Sequence, residues 1–215
     1  MAGSSLLDPR ARAAGNAHLA AADPALAGVL AANAPLRFAR PRGSLFAHLC
    51  RVITAQQISV AAADAIHDRL VRACSRVNPA AVCALELPGL QRCGLSQAKA
   101  LSLLQLAAGL RDGRHRLHAL GRRSDDEVRR RLIEIRGIGP WSADMVLVFR
   151  LHRPDVLPTL DIGLRRAMER LYGLDPTASP RNWERQAHTI AQRWRPWRTL
   201  ATRHLWAWND ADVNY

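Results

Sequence analysis

The stretch Leu132–Asp161, LIEIRGIGPWSADMVLVFRLHRPDVLPTLD, constrains this chain more than any other part of it. It reads as the end of one helix, a tight glycine turn, a second helix, and a loop that delivers one acid, Asp161, to the start of a third helix. Leu132, Ile133, Ile135 and Ile138 precede and line the turn, and Gly137 and Gly139 let its backbone adopt angles and approach distances closed to other residues. Pro140 suits the first position of the next helix, where a missing N–H costs nothing. Gly137, Ile138 and Gly139 are expected to leave their amides free at that helix N-terminus, with Ser142 beside them, an arrangement suited to a phosphate.

A chain of 215 residues can bury a substantial core in one domain or in two lobes. Its formal net charge is +13, its pI is near 11.3, and Lys99 is its only lysine, so arginine carries the charge and a polyanionic partner is favoured. Cys50, Cys74, Cys83 and Cys93 form no C-x-x-C pair, and they read as reduced thiols packed in a cytoplasmic protein. No signal peptide or long apolar run is evident, so no membrane partner is expected.

Residues 1–14 are small, polar and basic, and read as a flexible N-terminus. Asp23-Pro24 opens a helix, residues 33–43 read as a connector, and helical periodicity resumes at Ser44. Ser59 can cap a second helix there, leaving Gln56 and Gln57 at the corner between the two. Asn78-Pro79 starts a short helix through Leu85 that Leu87-Pro88-Gly89-Leu90 breaks, and another helix begins at Ser96 with Leu101, Leu104 and Leu106 on its buried side. Lys99 reads as a surface or phosphate-facing charge rather than a nucleophile, and Ser124 to Glu127 reads as a capping box. Helices then follow from Ile162 to Gly173, from Asn182 to Gln192 and from Pro196 to Trp208, with Trp183 and Trp197 as core. No period-two alternation is long enough to force a strand, so the fold class is all-α.

Gly137-Ile138-Gly139-Pro140-Trp141-Ser142-Ala143, joined to Leu157-Pro158 and Asp161, resembles the helix-hairpin-helix and aspartate loop of the base-excision DNA glycosylases, and within them the 3-methyladenine DNA glycosylase II, AlkA-like, group. Ile53-Thr54-Ala55-Gln56-Gln57-Ile58-Ser59, the run from Trp194 to Arg198, and His204-Leu205-Trp206 extend the likeness from about residue 20 to about 210. The resemblance implies two helical lobes around a central active-site cleft: residues 45–153 with the hairpin, and residues 15–44 with 154–215. It also implies the compact form of the group, without the β-rich N-terminal domain of its well-known member.

By the same resemblance the chain is a monomeric hydrolase in DNA repair, acting on alkylated bases in double-stranded DNA. Asp161 is its catalytic carboxylate, Trp206, Trp141 and Met145 line its base pocket, and Gln57, with Gln56, is the wedge that fills the gap left by an extruded base. No cofactor is required, although carbonyls of Ile133, Ile135 and Ile138 would hold a monovalent cation, and no cysteines lie after Cys93 for an iron–sulfur cluster. Strand-cutting relatives carry a Schiff-base lysine where Trp141 stands, so the activity is expected to stop at an abasic site. Met145 replaces an aromatic common in the group and implies a roomier pocket with shifted lesion preference. The rival readings are a mismatch-type adenine or thymine glycosylase, and a non-catalytic helix-hairpin-helix protein, which would not need Asp161.

Overall fold

The structure, a computed structural model, describes residues 5–40 and 42–211, with side chains as far as residue 209. Among the described residues the α-helices run in the order α1 (Pro9–Ala22), α2 (Pro24–Ala32), α3 (Leu45–Ala55), α4 (Val60–Cys74), α5 (Pro79–Arg92), α6 (Gln97–Arg111), α7 (Asp125–Ile133), α8 (Pro140–Met145), α9 (Ile162–Tyr172), α10 (Pro180–Ala191) and α11 (Arg198–Ala211). A π-helical turn, Val146–Arg150, continues α8, and no strand occurs among the described residues. The fold is all-α.

Side-chain caps set most of the helix starts. Asp8, Asp23, Ser44, Ser59, Asn78, Ser96, Ser124, Asp161 and Ser179 each accept an amide two or three residues on, satisfying a donor that the first turn leaves unpaired. Ser124 makes its half of the expected capping box, but Glu127 turns away to ion-pair with Arg130 and Arg131. Gly173 ends α9 in a left-handed conformation, φ 65°, that glycine adopts without penalty.

The chain divides into two compact units. One contains the residues up to Arg40 and those from His152 onward, and the other runs from residue 41 to Leu151. In the first, α1, α2, α9, α10 and α11 enclose a core that includes Leu19, Leu26, Met168, Trp183, Trp194 and Leu205. At its centre Asp23 is 1% exposed and fully used: it accepts from the Leu26 amide at 3.2 Å, the Tyr172 hydroxyl at 2.9 Å and the Trp194 indole at 2.8 Å. One side chain thereby caps α2 and ties it to α9 and to the turn after α10. The second unit buries Phe46, Leu49, Ile53, Leu103, Leu106 and Leu132 along α3, α6 and α7.

Three sequence expectations are corrected and one is refined. Residues 1–4 lie outside the described residues, but from Pro9 the supposed flexible segment is helix α1, which buries Ala11, Gly15 and Leu19; small residues that look featureless in sequence are what let another helix approach closely. A Cβ at Gly15 would lie 2.8 Å from Leu200. The helix from Pro79 breaks after Leu85 as expected, at Glu86 with φ 52°, and a second helical piece with Pro88 in its first turn then runs on to Arg92. Leu103 and Leu106, rather than Leu101, face the core from α6. Trp194 is fully buried, whereas Trp197 only packs against the edge of that core.

Candidate active site and nucleic-acid-binding elements

In the first unit the loop before α9 is pinned to α11. Thr199 accepts the Val156 amide at 2.9 Å and donates to the Arg153 carbonyl at 2.6 Å, while Arg198 grips the Asp155 carboxylate through two bonds. Thr159 donates to Glu184 at 2.8 Å, and the Asp161 amide closes a turn onto the Pro158 carbonyl. The loop therefore delivers Asp161 from a braced backbone. Thr199, Asp155 and Glu184 carry no local signature in the sequence, because each acts through a partner more than 20 positions away.

Asp161 caps α9, its Oδ1 accepting from the Leu164 amide at 2.8 Å. The same Oδ1 accepts the Trp206 indole N–H at 2.8 Å. Two residues chosen separately, one as the acid and one as a pocket wall, are thus in direct contact. Gly163 makes this possible: a Cβ there would lie 3.1 Å from Asp161 Oδ1 and 3.3 Å from Trp206 Cδ1. Leu160 and Ile162, on either side of Asp161, are both more than half exposed. An exposed apolar rim around a carboxylate held by two donors is a site arrangement, since burying those side chains would serve stability better.

The second unit contains the hairpin between α7 and α8. Gly137 takes φ +85° and packs against α6 so closely that a Cβ would lie 2.4 Å from Ser102 Oγ. Gly139 is extended, caps α8 without a side chain, and precedes Pro140 as expected. The amides of Gly137 and Gly139 have no partner among the described residues, but the Ile138 amide does: it donates to the Ile135 carbonyl at 3.0 Å, so the expectation of three free amides falls to two. Ser142 is also corrected. It is buried and its hydroxyl accepts from Gln56 Nε2 at 2.9 Å, so it braces the hairpin and does not face outward toward a phosphate. Arg129 on α7 and Asp144 on α8, 2.8 Å apart, clamp the two helices together.

The carbonyls of Ile133, at the end of α7, and of Ile135 and Ile138, in the turn after it, would be uncharged oxygen donors of the kind a weakly held monovalent cation takes. The Ile135 carbonyl spends one lone pair on the Ile138 amide and keeps a second. Met145 and Trp141 belong to the same unit. Met145 is 6% exposed and Trp141 half-buried, so little of the thioether is accessible.

The corner between α3 and α4 separates the two glutamines. Gln57 is exposed and left-handed, φ 57°, an uncommon state for a residue with a Cβ. Ile58 and Val60 beside it are exposed too, Val60 at 73%, so apolar surface flanks the tip. Gln56 points the other way: its Nε2 donates to the Gly137 carbonyl at 2.8 Å and to Ser142. Gln56 is thus not available to fill a gap in a base stack, because its amide is spent on the hairpin. Lys99, expected to face the surface or a phosphate, turns inward to donate to the Thr54 and Gln56 carbonyls, each at 2.8 Å, and partial burial pushes its pKa down.

A glycine hairpin between short helices, an aspartate capping the helix that follows, and an indole bonded to that aspartate together define a class. The chain belongs to the HhH-GPD superfamily of base excision DNA repair proteins, matched over residues 50–193. Among individual proteins, it is similar to the DNA-3-methyladenine glycosylase 1 of Schizosaccharomyces pombe, at 29% identity over 75% of this chain and 71% of that one. It is also similar to the Bacillus subtilis protein YfjP, 28% identical over 76% of this chain; the match spans 58% of the length of YfjP. The solved structure of an S. pombe 3-methyladenine DNA glycosylase in complex with abasic DNA superposes with a TM-score of 0.78 at 26% identity, over 89% of this chain and 94% of that one.

Proposed function

We propose that this chain is a monofunctional DNA glycosylase that hydrolyses the N-glycosidic bond of alkylated purines, of the 3-methyladenine and 7-methylguanine type, in double-stranded DNA and leaves an abasic site. The observation that carries this reading is the Asp161 carboxylate, fixed by the Leu164 amide and the Trp206 indole at 2.8 Å each. Membership of a base-excision family and the names of the relatives support it.

Breaking the bond at C1′ makes the sugar oxocarbenium-like, and a carboxylate already in place stabilises that charge without reorganising as the reaction proceeds. The same carboxylate can orient the attacking water. A duplex hides C1′ and the base edges, so the nucleotide must first leave the stack at a cost of a few kcal/mol. Gln57 is assigned to the vacated space, and the amides of Gly137 and Gly139 to the phosphate backbone. An alkylated purine carries positive charge, so the Trp206 ring would favour it by about 1 kcal/mol or more, and the charge makes it a good leaving group. Carbonyls of Ile133, Ile135 and Ile138 would hold a monovalent cation that lends charge to the phosphate contact. With Trp141 where a Schiff-base lysine would stand, no amine is assigned to cut the strand.

The test is release of 3-methyladenine and 7-methylguanine from alkylated duplex by the wild type and by Asp161→Asn. Asparagine is nearly isosteric and can still cap α9, so the variant should fold and bind duplex while base release falls by about a hundredfold or more. Wild-type rates in a folded Asp161→Asn protein would refute the assignment. Binding should also weaken with salt at a log–log slope of roughly 0.9 per neutralised phosphate.

A further inference from the structure

Lys99 and Gln56 grip the corner that carries Gln57 from two directions. Lys99 reaches from α6 to the carbonyls of Thr54 and Gln56, 2.8 Å each, where α3 ends with its acceptors unpaired and its dipole negative. Gln56 reaches from the corner to the hairpin, donating to the Gly137 carbonyl and the Ser142 hydroxyl. Thr54 is itself buried and bonded to Cys50, so Lys99 is anchored on rigid backbone. Between these two ties the chain turns left-handed at Gln57, a state that persists in a residue with a Cβ only where its surroundings enforce it. A partly buried lysine is a poor choice for stability alone, since desolvating its ammonium opposes the charge that the carbonyls need.

We propose that Lys99 is a positioning residue for the Gln57 wedge: its ammonium locks the end of α3, and Gln56 couples that corner to the phosphate-binding hairpin, so that gripping the backbone and filling the gap are done by one rigid part. The proposal rests on the reading of Gln57 as the wedge of a base-flipping protein. It gives Lys99 no contact with substrate. It also explains why the two adjacent glutamines differ: the first is the tie and the second is the tip.

The experiment reads insertion without chemistry. The probe is a duplex with 2-aminopurine opposite a tetrahydrofuran abasic analogue, whose emission changes when a side chain enters the gap; anisotropy of a labelled copy gives affinity. In Lys99→Met, which keeps the stem and loses the donors, the inserted population should fall by about tenfold, because two charged hydrogen bonds no longer favour it. Affinity for undamaged duplex, set by phosphate contacts, should change far less. Lys99→Arg should restore much of the signal, and Gln57→Ala should abolish it, with Lys99→Met adding nothing on the Gln57→Ala background. Gln56→Leu, which leaves α6 untouched, should reproduce the loss if Lys99→Met does not fold. A full wild-type signal at saturation in folded Lys99→Met, or losses that add to that of Gln57→Ala, would overturn the proposal. Failure of the glycosylase reading would show separately, as wild-type protein that changes the probe's emission yet releases no alkylated base.

Discussion

Gly137→Ala separates the reasons for which the hairpin needs glycine. The backbone there has φ +85°, which costs an alanine about 1–2 kcal/mol. The added methyl would also lie 2.4 Å from Ser102 Oγ and 2.6 Å from Ser102 Cβ. The hydroxyl can rotate away only by giving up its bond to the Ala98 carbonyl, 3.0 Å, and the Cβ is fixed by helix α6. Overpacking of this kind costs a further ~1–3 kcal/mol. A stiffer unfolded chain returns about 0.4–1 kcal/mol, leaving a net loss of roughly 1–5 kcal/mol. That is a large share of a domain's stability, about 5–15 kcal/mol in total.

Urea denaturation of four proteins decides the matter: wild type, Gly137→Ala, Ser102→Gly and the double variant. Ser102→Gly alone should cost about 0.5 kcal/mol through helix propensity. On that background the clash is gone, so Gly137→Ala should cost only the backbone part, and the cycle should show a coupling of about 1–3 kcal/mol. Because the Gly137 carbonyl accepts from Gln56, duplex affinity should recover in step with stability. If Gly137→Ala costs the same on both backgrounds, the close approach to α6 is not why glycine stands there; if it costs less than ~0.5 kcal/mol on either, the left-handed turn is not constrained.

Gly163→Ala should leave stability unchanged or raise it by up to about 1 kcal/mol, since alanine favours helix, while base release falls because the methyl must move the Trp206 ring or Asp161 by a few tenths of an ångström; a variant both stabilised and fully active would remove Gly163 from the site. Asp23→Ala strands the Tyr172 hydroxyl, the Trp194 N–H and the Leu26 amide in the core, and should cost roughly 3–5 kcal/mol in thermal or urea unfolding. His204 is neutral in the fold, its Nε2 donating to Asn16 and its Nδ1 accepting from Asn33; burial and then Arg203 push its pKa down to about 4. A folded-state pKa below the unfolded one contributes stability that is fully present above about pH 6.5 and is lost as pH falls toward 4, by up to roughly 3 kcal/mol. Urea midpoints measured across that window should drop in the wild type and drop less in His204→Asn.

What the sequence made legible is what is decided locally. Asp23, Ser59, Asn78, Ser96, Ser124 and Asp161 could be placed as caps because each meets an amide two or three residues along its own chain. The residues misplaced or missed, Lys99, Gln56, Ser142 and Gly163, act across 40 or more positions or through a ring brought in by α11, and nothing in their neighbours records where those elements dock. Asp161 belongs to both groups, and this bears on how the site works. Its local role, capping α9, fixes one oxygen against an amide that cannot move; its distant role adds the Trp206 N–H to the same oxygen. Neither bond waits for substrate. A carboxylate placed by the start of a helix is therefore held in folding; on the glycosylase reading proposed above, that is the preorganisation which electrostatic stabilisation of a short-lived sugar cation requires. On that reading capping and chemistry do not compete for this residue: the first supplies the fixed position on which the second would depend.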